Sequence, residues 1–305
     1  MRAKALALVL LAGLTLGPAP ARAGSGDPDR SVPVLFVHGL EPFGFGYSCT
    51  VYWQPMRDAF QGYGWSNALT DLKYYAEDTD CADDLDHDGS HNRHLGHDNP
   101  FKLNYNHSWL DTSSHGSETP IEHLGYHLAW FVYDHYSRFG QTVDLVGHSM
   151  GGLIIRYALT MEERHDADFP PVLYVSQAVT LETPHGGADL SVLCGLARQC
   201  LEMVPGSAFL GKLGSNPQGT GGTEWTVIGS AFDPLVPSAS ATAMRAAHRI
   251  VYLWPPYDHV AVLWDASDAT DAVWNRSDDG SAWVTESGQL HSIRETDAAA
   301  ANPGQ

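Results

Sequence analysis

Basic residues are scarce in this chain of 305 residues: Lys and Arg number 17 against 36 Asp and Glu, a formal charge of −19. So acidic a chain is repelled by phosphate backbones and anionic membrane surfaces, which argues against nucleic acid as a partner and leaves solubility as the role of the charge. Cysteine is also rare, with only Cys49, Cys81, Cys194 and Cys200. None has a Cys-x-x-Cys spacing, which argues against zinc or redox chemistry at these thiols. After the first 17 residues no apolar run is long enough to cross a membrane as a helix, so no transmembrane segment is expected. No internal repeat is present.

The opening residues carry a different signal. Arg2 and Lys4 precede an apolar stretch that ends at Gly17, and Ala21-Arg22-Ala23 follows it. This order predicts a secretory signal peptide over residues 1–23 and an extracellular chain over residues 24–305. The four cysteines are an even number, as two disulfides in a secreted chain require. Local pairing, Cys49–Cys81 and Cys194–Cys200, is the most economical of the three possible arrangements.

Residues 32–37 form a continuous apolar run suited to a strand buried on both faces. A helix is expected over residues 52–63 and a short strand over 72–75. Residues 121–138 return to helical periodicity, with Ile121, Leu124, Leu128 and Phe131 on one face. Further strands are expected over residues 142–146, 172–181, 225–228 and 248–254, and a helix over 150–164. Alternation of this kind predicts an α/β fold, about six mostly parallel strands with flanking helices. The chain from residue 24 to 305 suits one such domain. Residues 78–115 read as an Asp/His-rich insertion, and residues 296–305 as a disordered tail.

Gly147-His148-Ser149-Met150-Gly151 lies where the third of these strands, over 142–146, meets a helix. A Gly-x-Ser-x-Gly turn in that context is the nucleophile elbow of the α/β-hydrolases, with glycine where a Cβ would collide across the tight turn. A serine hydroxyl needs a hydrogen-bonded base, and the base needs a carboxylate to orient it. In this fold the order along the chain is serine, acid, histidine. Asp233, after the strand over 225–228, meets the requirement for the acid, and His259, after the last strand, that for the base. Asp258 and Glu182 are weaker candidates for the acid: Asp258 adjoins the base itself, and Glu182 is expected to support the turn that follows it. His248 and His291 are alternative bases read as surface residues, and His148 and His185 as scaffold.

Together with His38-Gly39 after the first strand and Thr183-Pro184-His185-Gly186-Gly187, the elbow Gly147-His148-Ser149-Met150-Gly151-Gly152 resembles that of the secreted bacterial lipases, small members of the α/β-hydrolase fold. The similarity runs from residue 32 to about residue 264, and the fold is a trimmed one. It implies a serine hydrolase of carboxylic esters, a lipase or esterase, with a lipid or other ester as substrate and a lipid–water interface as a surface it could contact. It also implies that the backbone N–H groups of Leu40 and Met150 form an oxyanion hole, supported by His38, Gly39, Gly147, His148 and Gly151. Other outcomes on the same scaffold are an acyltransferase, a polyester depolymerase, or a binding protein without activity.

Two segments are left with open readings. Asp84, Asp86 and Asp88, followed by Gly89, match the first half of a calcium loop. Leu95 stands where that loop needs its bidentate Glu, so this is not an EF-hand. His87, His91, His94 and His97 could instead serve zinc, or the stretch could be a solvated acidic loop. A serine triad requires no cofactor, so any calcium or zinc here would be structural. Residues 190–222 read either as a lid or cap over the site or as a static, disulfide-closed loop. Phe43, Phe45 and Tyr47, beside the His38-Gly39 turn, are candidates to line the substrate pocket.

Overall fold

Nine strands pair into one sheet in a computed structural model that describes residues 28–41, 46–75, 77–85, 119–188, 197–266 and 271–301. In chain order they are β1 (Val34–Val37), β2 (Leu69–Lys73), β3 (Asp83–Asp84), β4 (Val143–His148), β5 (Val175–Leu181), β6 (Glu224–Ser230), β7 (His248–Tyr252), β8 (Ala272–Asp278) and β9 (Val284–Gly288). They lie side by side as β3-β2-β1-β4-β5-β6-β7-β8-β9. The run from β3 to β7 is parallel, while β8 and β9 add an antiparallel edge. The helices are α1 (Cys49–Gly62), α2 (Ile121–His135), α3 (Met150–Glu163), α4 (Arg198–Glu202), α5 (Ser238–Ala241) and α6 (Ser292–Ala301).

Side chains alternate across the strands and so feed two cores. Leu35 and Val37 of β1 join Leu145 of β4 and the helices α2 and α3 on one face. Val34 and Phe36 join Val146, Trp53, Met56 and Phe60 on the other, where α1 and α6 pack. Ser48 caps α1 by accepting from the Val51 N–H at 3.4 Å. Trp53, Met56 and Phe60 recur at the spacing that places them on one helical face. α2 and α3 press together at Gly125, where a Cβ would stand 2.7 Å from the Tyr157 ring.

Two sequence expectations need correction here. The sheet has nine strands rather than about six, because β3 is a two-residue pairing and the β8–β9 ribbon has too little apolar alternation to announce itself. The supposed disordered tail over 296–305 is helical as far as Ala301, in α6; residues 302–305 lie outside the described residues. Ile293, Ala300 and Ala301 of α6 are buried. Asp297 accepts from Arg30 at 2.9 and 2.6 Å and from the Trp65 indole at 2.7 Å, fastening the helix beside the first described residues. The signal-peptide reading over residues 1–23 falls outside the described residues.

β4 also carries a buried acid. Asp144 accepts from the Ser176 hydroxyl at 2.5 Å and the Gln177 N–H at 3.0 Å, yet burial pushes its pKa up to about 7. The folded state therefore holds a proton that the unfolded chain releases near pH 4, so ionisation of Asp144 costs stability progressively from about pH 4 to pH 7 and by a constant amount above. Asp144→Asn removes this dependence. In denaturant titrations the stability gap between wild type and the asparagine variant is expected to shift in favour of the variant across that window and to stay level above pH 7.

Candidate active site

The parallel register brings the carboxyl ends of five strands to one edge. Val37 pairs with Gly147, His148 with Leu181, Leu181 with Ile228, and Ser230 with Tyr252. The loops after β1, β4, β5, β6 and β7 therefore meet there, as ligand sites in open parallel sheets do. Ser149 stands between β4 and α3 with φ +53° and ψ −127°, the strained backbone expected of an elbow. Its amide donates to the Leu181 carbonyl at 2.8 Å. The glycines are needed for contact: a Cβ at Gly147 would come within 2.7 Å of the Gly152 nitrogen, and one at Gly151 within 2.1 Å of the Val37 carbonyl oxygen.

Ser149, His259 and Asp233 are brought together. His259 Nε2 lies 2.9 Å from Ser149 Oγ, and its Nδ1 lies 2.7 Å from Asp233 Oδ2. Asp233 Oδ1 accepts from the N–H groups of Leu235 at 2.7 Å and Val236 at 3.0 Å. Burial acts to raise the Asp233 pKa. The hydrogen bond and charge of His259, with those two amides, outweigh it and hold the carboxyl below its ordinary value.

The remaining candidates fall elsewhere. Asp258 caps the turn after His259, accepting from Val260 N–H at 3.0 Å and Ala261 N–H at 2.8 Å. His248 and His291 were expected at the surface and are buried instead: Nδ1 of His248 is 2.7 Å from Asp278, and that of His291 is 2.8 Å from Asp265. His185 packs against Thr180 and the Arg156 guanidinium.

The turn after β1 lies against the elbow, since a Cβ at Gly39 would stand 2.9 Å from Ser149 Cβ. Leu40 follows it and lines the cavity above Ser149. The Met150 N–H is the first of α3, one of the amides a helix leaves without an internal partner. Tyr52 of α1 joins the two sides of the site. Its oxygen accepts from Gly39 N–H at 3.2 Å, and its hydroxyl bonds Nδ1 of His148. His148 Nε2 lies 2.6 Å from the His259 carbonyl, which can only accept, so Nε2 carries the proton and Nδ1 accepts from Tyr52. Burial, then the charge of His259, lowers the His148 pKa to about 3, which keeps the ring neutral in this role.

Sequence reasoning missed Tyr52 in this role, and it missed Asp78. Asp78 is buried beneath the His38-Gly39 turn, accepting from the Tyr47, Tyr74 and Tyr75 N–H groups at 2.8, 3.2 and 2.9 Å. His38 Nε2 lies 2.9 Å from it and the His38 ring stacks on Tyr74, centroids 3.9 Å apart. Burial pushes the Asp78 pKa up, but His38 and the amides outweigh it and bring it below the ordinary value. No short motif marks Asp78, whose partners lie 40 and 31 residues upstream or in the adjoining turn. Cys49 and Cys81 are disulfide-bonded, as the local pairing predicts. Cys194 lies outside the described residues, and with it the pairing to Cys200.

A cavity of about 480 Å³ opens above Ser149 and His259, walled by Leu40, Tyr47, Val51, Leu235, Val260 and Trp264. Of the three pocket candidates Tyr47 lines it; Phe43 and Phe45 are outside the described residues. A larger, polar cleft of about 900 Å³ lies at the opposite, amino ends of β5 to β7 and contains none of these groups. Of residues 190–222, the described part is docked onto the body. Gln199 accepts from the Tyr75 hydroxyl at 2.7 Å and donates to the Thr119 carbonyl at 2.8 Å, and Glu202 accepts from Ile121 N–H at 2.7 Å. Asp84 sits in β3 with Lys73 3.9 Å away, while Asp86 and Asp88 are outside the described residues. Among the described residues no cluster of His, Cys, Asp or Glu could hold a metal ion.

A mostly parallel sheet with flanking helices and a strand–elbow–helix at its carboxyl edge defines the α/β-hydrolase fold. Residues 65–215, just under half of the chain, match the family described as "Putative serine esterase (DUF676)". The matched stretch contains the elbow, and it supports a serine hydrolase acting on esters. No curated protein matches the chain. Among solved structures the chain is similar to the propeptide form of the Bacillus licheniformis lipase BlEst2, at 19% identity over 78% of this chain and 49% of that one, TM-score 0.44. It thus spans about half the length of that lipase. It is also similar to phospholipase PlaB from Legionella pneumophila, at 12% identity over 70% and 46% of the two chains, TM-score 0.43. The monoacylglycerol lipase of Paleococcus ferrophilus shows 12% identity over 70% and 80%, TM-score 0.38. At this level of similarity these proteins assign nothing further to the chain.

Replacing Asp78 with Ala would leave the His38 ring, two buried amides and the half-buried Tyr47 amide without their acceptor. A loss of about 3–5 kcal/mol is expected in denaturant unfolding at pH 7. Because the folded pKa is depressed, this contribution is present above the carboxylate range and fades as pH falls through it. The gap between variant and wild type should therefore narrow at low pH.

Proposed function

We propose that the chain is a secreted carboxylic ester hydrolase, a lipase or esterase with one catalytic domain over residues 24–305, in which Ser149 is the nucleophile. The observation that carries this reading is the hydrogen-bonded series Ser149–His259–Asp233 at the floor of an apolar cavity. Ser149 Oγ attacks the ester carbonyl carbon while His259 Nε2 takes its proton, and Asp233 stabilises the imidazolium that results. The Leu40 and Met150 amides receive the charge that develops on the carbonyl oxygen. The imidazolium then passes its proton to the departing alcohol, and water repeats the sequence on the acyl-enzyme to release the acid.

The cavity wall suits a hydrocarbon acyl group, and its volume falls in the range of small-molecule sites. Val51, Val260 and Trp264 line it and are also exposed at its mouth, so a longer chain could extend over them.

Ser149→Ala is expected to lower kcat/KM for a soluble p-nitrophenyl ester by about 10⁴-fold or more while the unfolding midpoint stays close to that of wild type. A fluorophosphonate should label Ser149 in the folded protein. Near-normal turnover by the alanine variant, or labelling elsewhere, would remove Ser149 from this role. An ester chain-length series taken below and above the aggregation threshold separates the two classes: a jump at the threshold marks a lipase, a smooth profile an esterase.

A further inference from the structure

Gly39 and Leu40 bring four backbone polar groups to the turn after β1, and three of them are held by side chains. Tyr52 accepts from the Gly39 N–H at 3.2 Å. The Gly39 carbonyl accepts from the Tyr74 hydroxyl at 2.9 Å and lies 2.9 Å from His38 Nδ1. The Leu40 carbonyl accepts from the Tyr47 hydroxyl at 2.7 Å. The fourth group, the Leu40 N–H, has no hydrogen-bond partner among the described residues, although Leu40 is buried. An unpaired buried amide is costly, and this one belongs to a residue that lines the cavity above Ser149.

The Gly39–Leu40 peptide is trans, so its carbonyl and its N–H point in opposite directions. Tyr74 directly follows β2, and β1 runs between β2 and β4. A carbonyl drawn toward Tyr74 therefore turns the Leu40 N–H to the β4 side, where Ser149 follows the strand. Tyr74 is itself fixed. It is buried, its ring stacks on His38, and its own N–H donates to Asp78 at 3.2 Å. The hydroxyl also reaches the His38 carbonyl, so one proton bridges two successive carbonyls of the turn. Burial first, then Tyr75 and Asp78, pushes the Tyr74 pKa well above its ordinary value, and the hydroxyl keeps the proton it donates.

We propose that Tyr74 is a positioning residue that presets the oxyanion hole: its hydroxyl holds the Gly39 carbonyl and so aims the Leu40 N–H at the oxygen of the tetrahedral intermediate before substrate arrives. The proposal rests on the catalytic reading of Ser149 and Leu40. Were the Gly39–Leu40 peptide to turn over, its carbonyl oxygen would face the developing oxyanion and repel it. A hole set in advance needs no reorganisation during attack. Tyr74 therefore acts on kcat, where charge on the oxygen develops, and little on KM.

Tyr74→Phe keeps the ring and removes the hydroxyl. For a soluble p-nitrophenyl ester, kcat is expected to fall about 10- to 100-fold while KM stays within about twofold of wild type. A trifluoromethyl ketone, which Ser149 converts to a tetrahedral hemiketal oxyanion, should bind more weakly by the same factor as kcat falls. A merely structural role would lower the folded fraction or raise KM without that parallel loss. Wild-type kcat and ketone affinity in folded Tyr74→Phe would overturn the proposal. If phenylalanine prevents folding, crystal structures of the wild type, free and carrying the ketone, decide instead. The Gly39 carbonyl should face Tyr74 in both, and a free enzyme with that peptide turned over would overturn the proposal. Failure of the ketone to form an adduct on wild-type Ser149 would remove the underlying catalytic reading, an outcome distinct from wild-type behaviour of Tyr74→Phe.

Discussion

A single backbone constraint organises the molecule: the chain must leave β4 and enter α3 through one residue with positive φ. That turn is tenable only because Gly147, Gly151 and Gly152 let β1, β5 and α3 close around it. A Cβ at Gly152 would come within 2.1 Å of the Thr183 hydroxyl oxygen, so the third glycine seats the elbow against the loop after β5. Packing from both sides holds the Ser149 backbone in its conformation, which leaves the hydroxyl within hydrogen-bonding distance of His259 Nε2.

The polar groups around the elbow form a directed network. Gly39 N–H donates to Tyr52, Tyr52 to His148, and His148 to the His259 carbonyl, so the turn after β1 and the loop carrying His259 are linked through neutral side chains. Burial keeps the Tyr52 hydroxyl protonated, its pKa pushed well above the ordinary value. A charged group in any of these positions would have to be neutralised or desolvated at considerable cost. Charge is concentrated instead where it has partners, at Asp233 under His259 and at Asp78 under His38. The general physics of buried polar groups is followed here: those with several donors ionise, and those without remain neutral.

Much of this was legible in the residues because the fold constrains them locally. β1 is a continuous apolar run, β4 is predominantly apolar up to the elbow, and the elbow is a contiguous motif. Asp233 and His259 were reachable by order alone, each on the loop after a late strand. What could not be read depends on side chains meeting across distance. Tyr52 is one aromatic among many until α1 folds over the turn. Asp78 opened what looked like an unassignable insertion, yet its carboxylate is buried against His38 and the turn after β1. The β8–β9 ribbon is half exposed, so its alternation is weak. The alanines of α6 looked featureless because small residues pack without a strong hydrophobic signature.

The Cys49–Cys81 bond encloses a loop of sequence separation 32, and both Tyr52 and Asp78 lie inside it. Closing a loop of that length removes about 3–4 kcal/mol of unfolded-chain entropy in the simple chain treatment. The two side chains that brace the Gly39 turn from above and below thus belong to one covalent ring. In a reducing compartment that ring opens, and the brace is left to the hydrogen bonds of Tyr52 and Asp78. Thiol pairing thus adds a covalent tie to the contacts that already hold the turn, and the stability of this part of the site is linked to the redox conditions in which the chain folds.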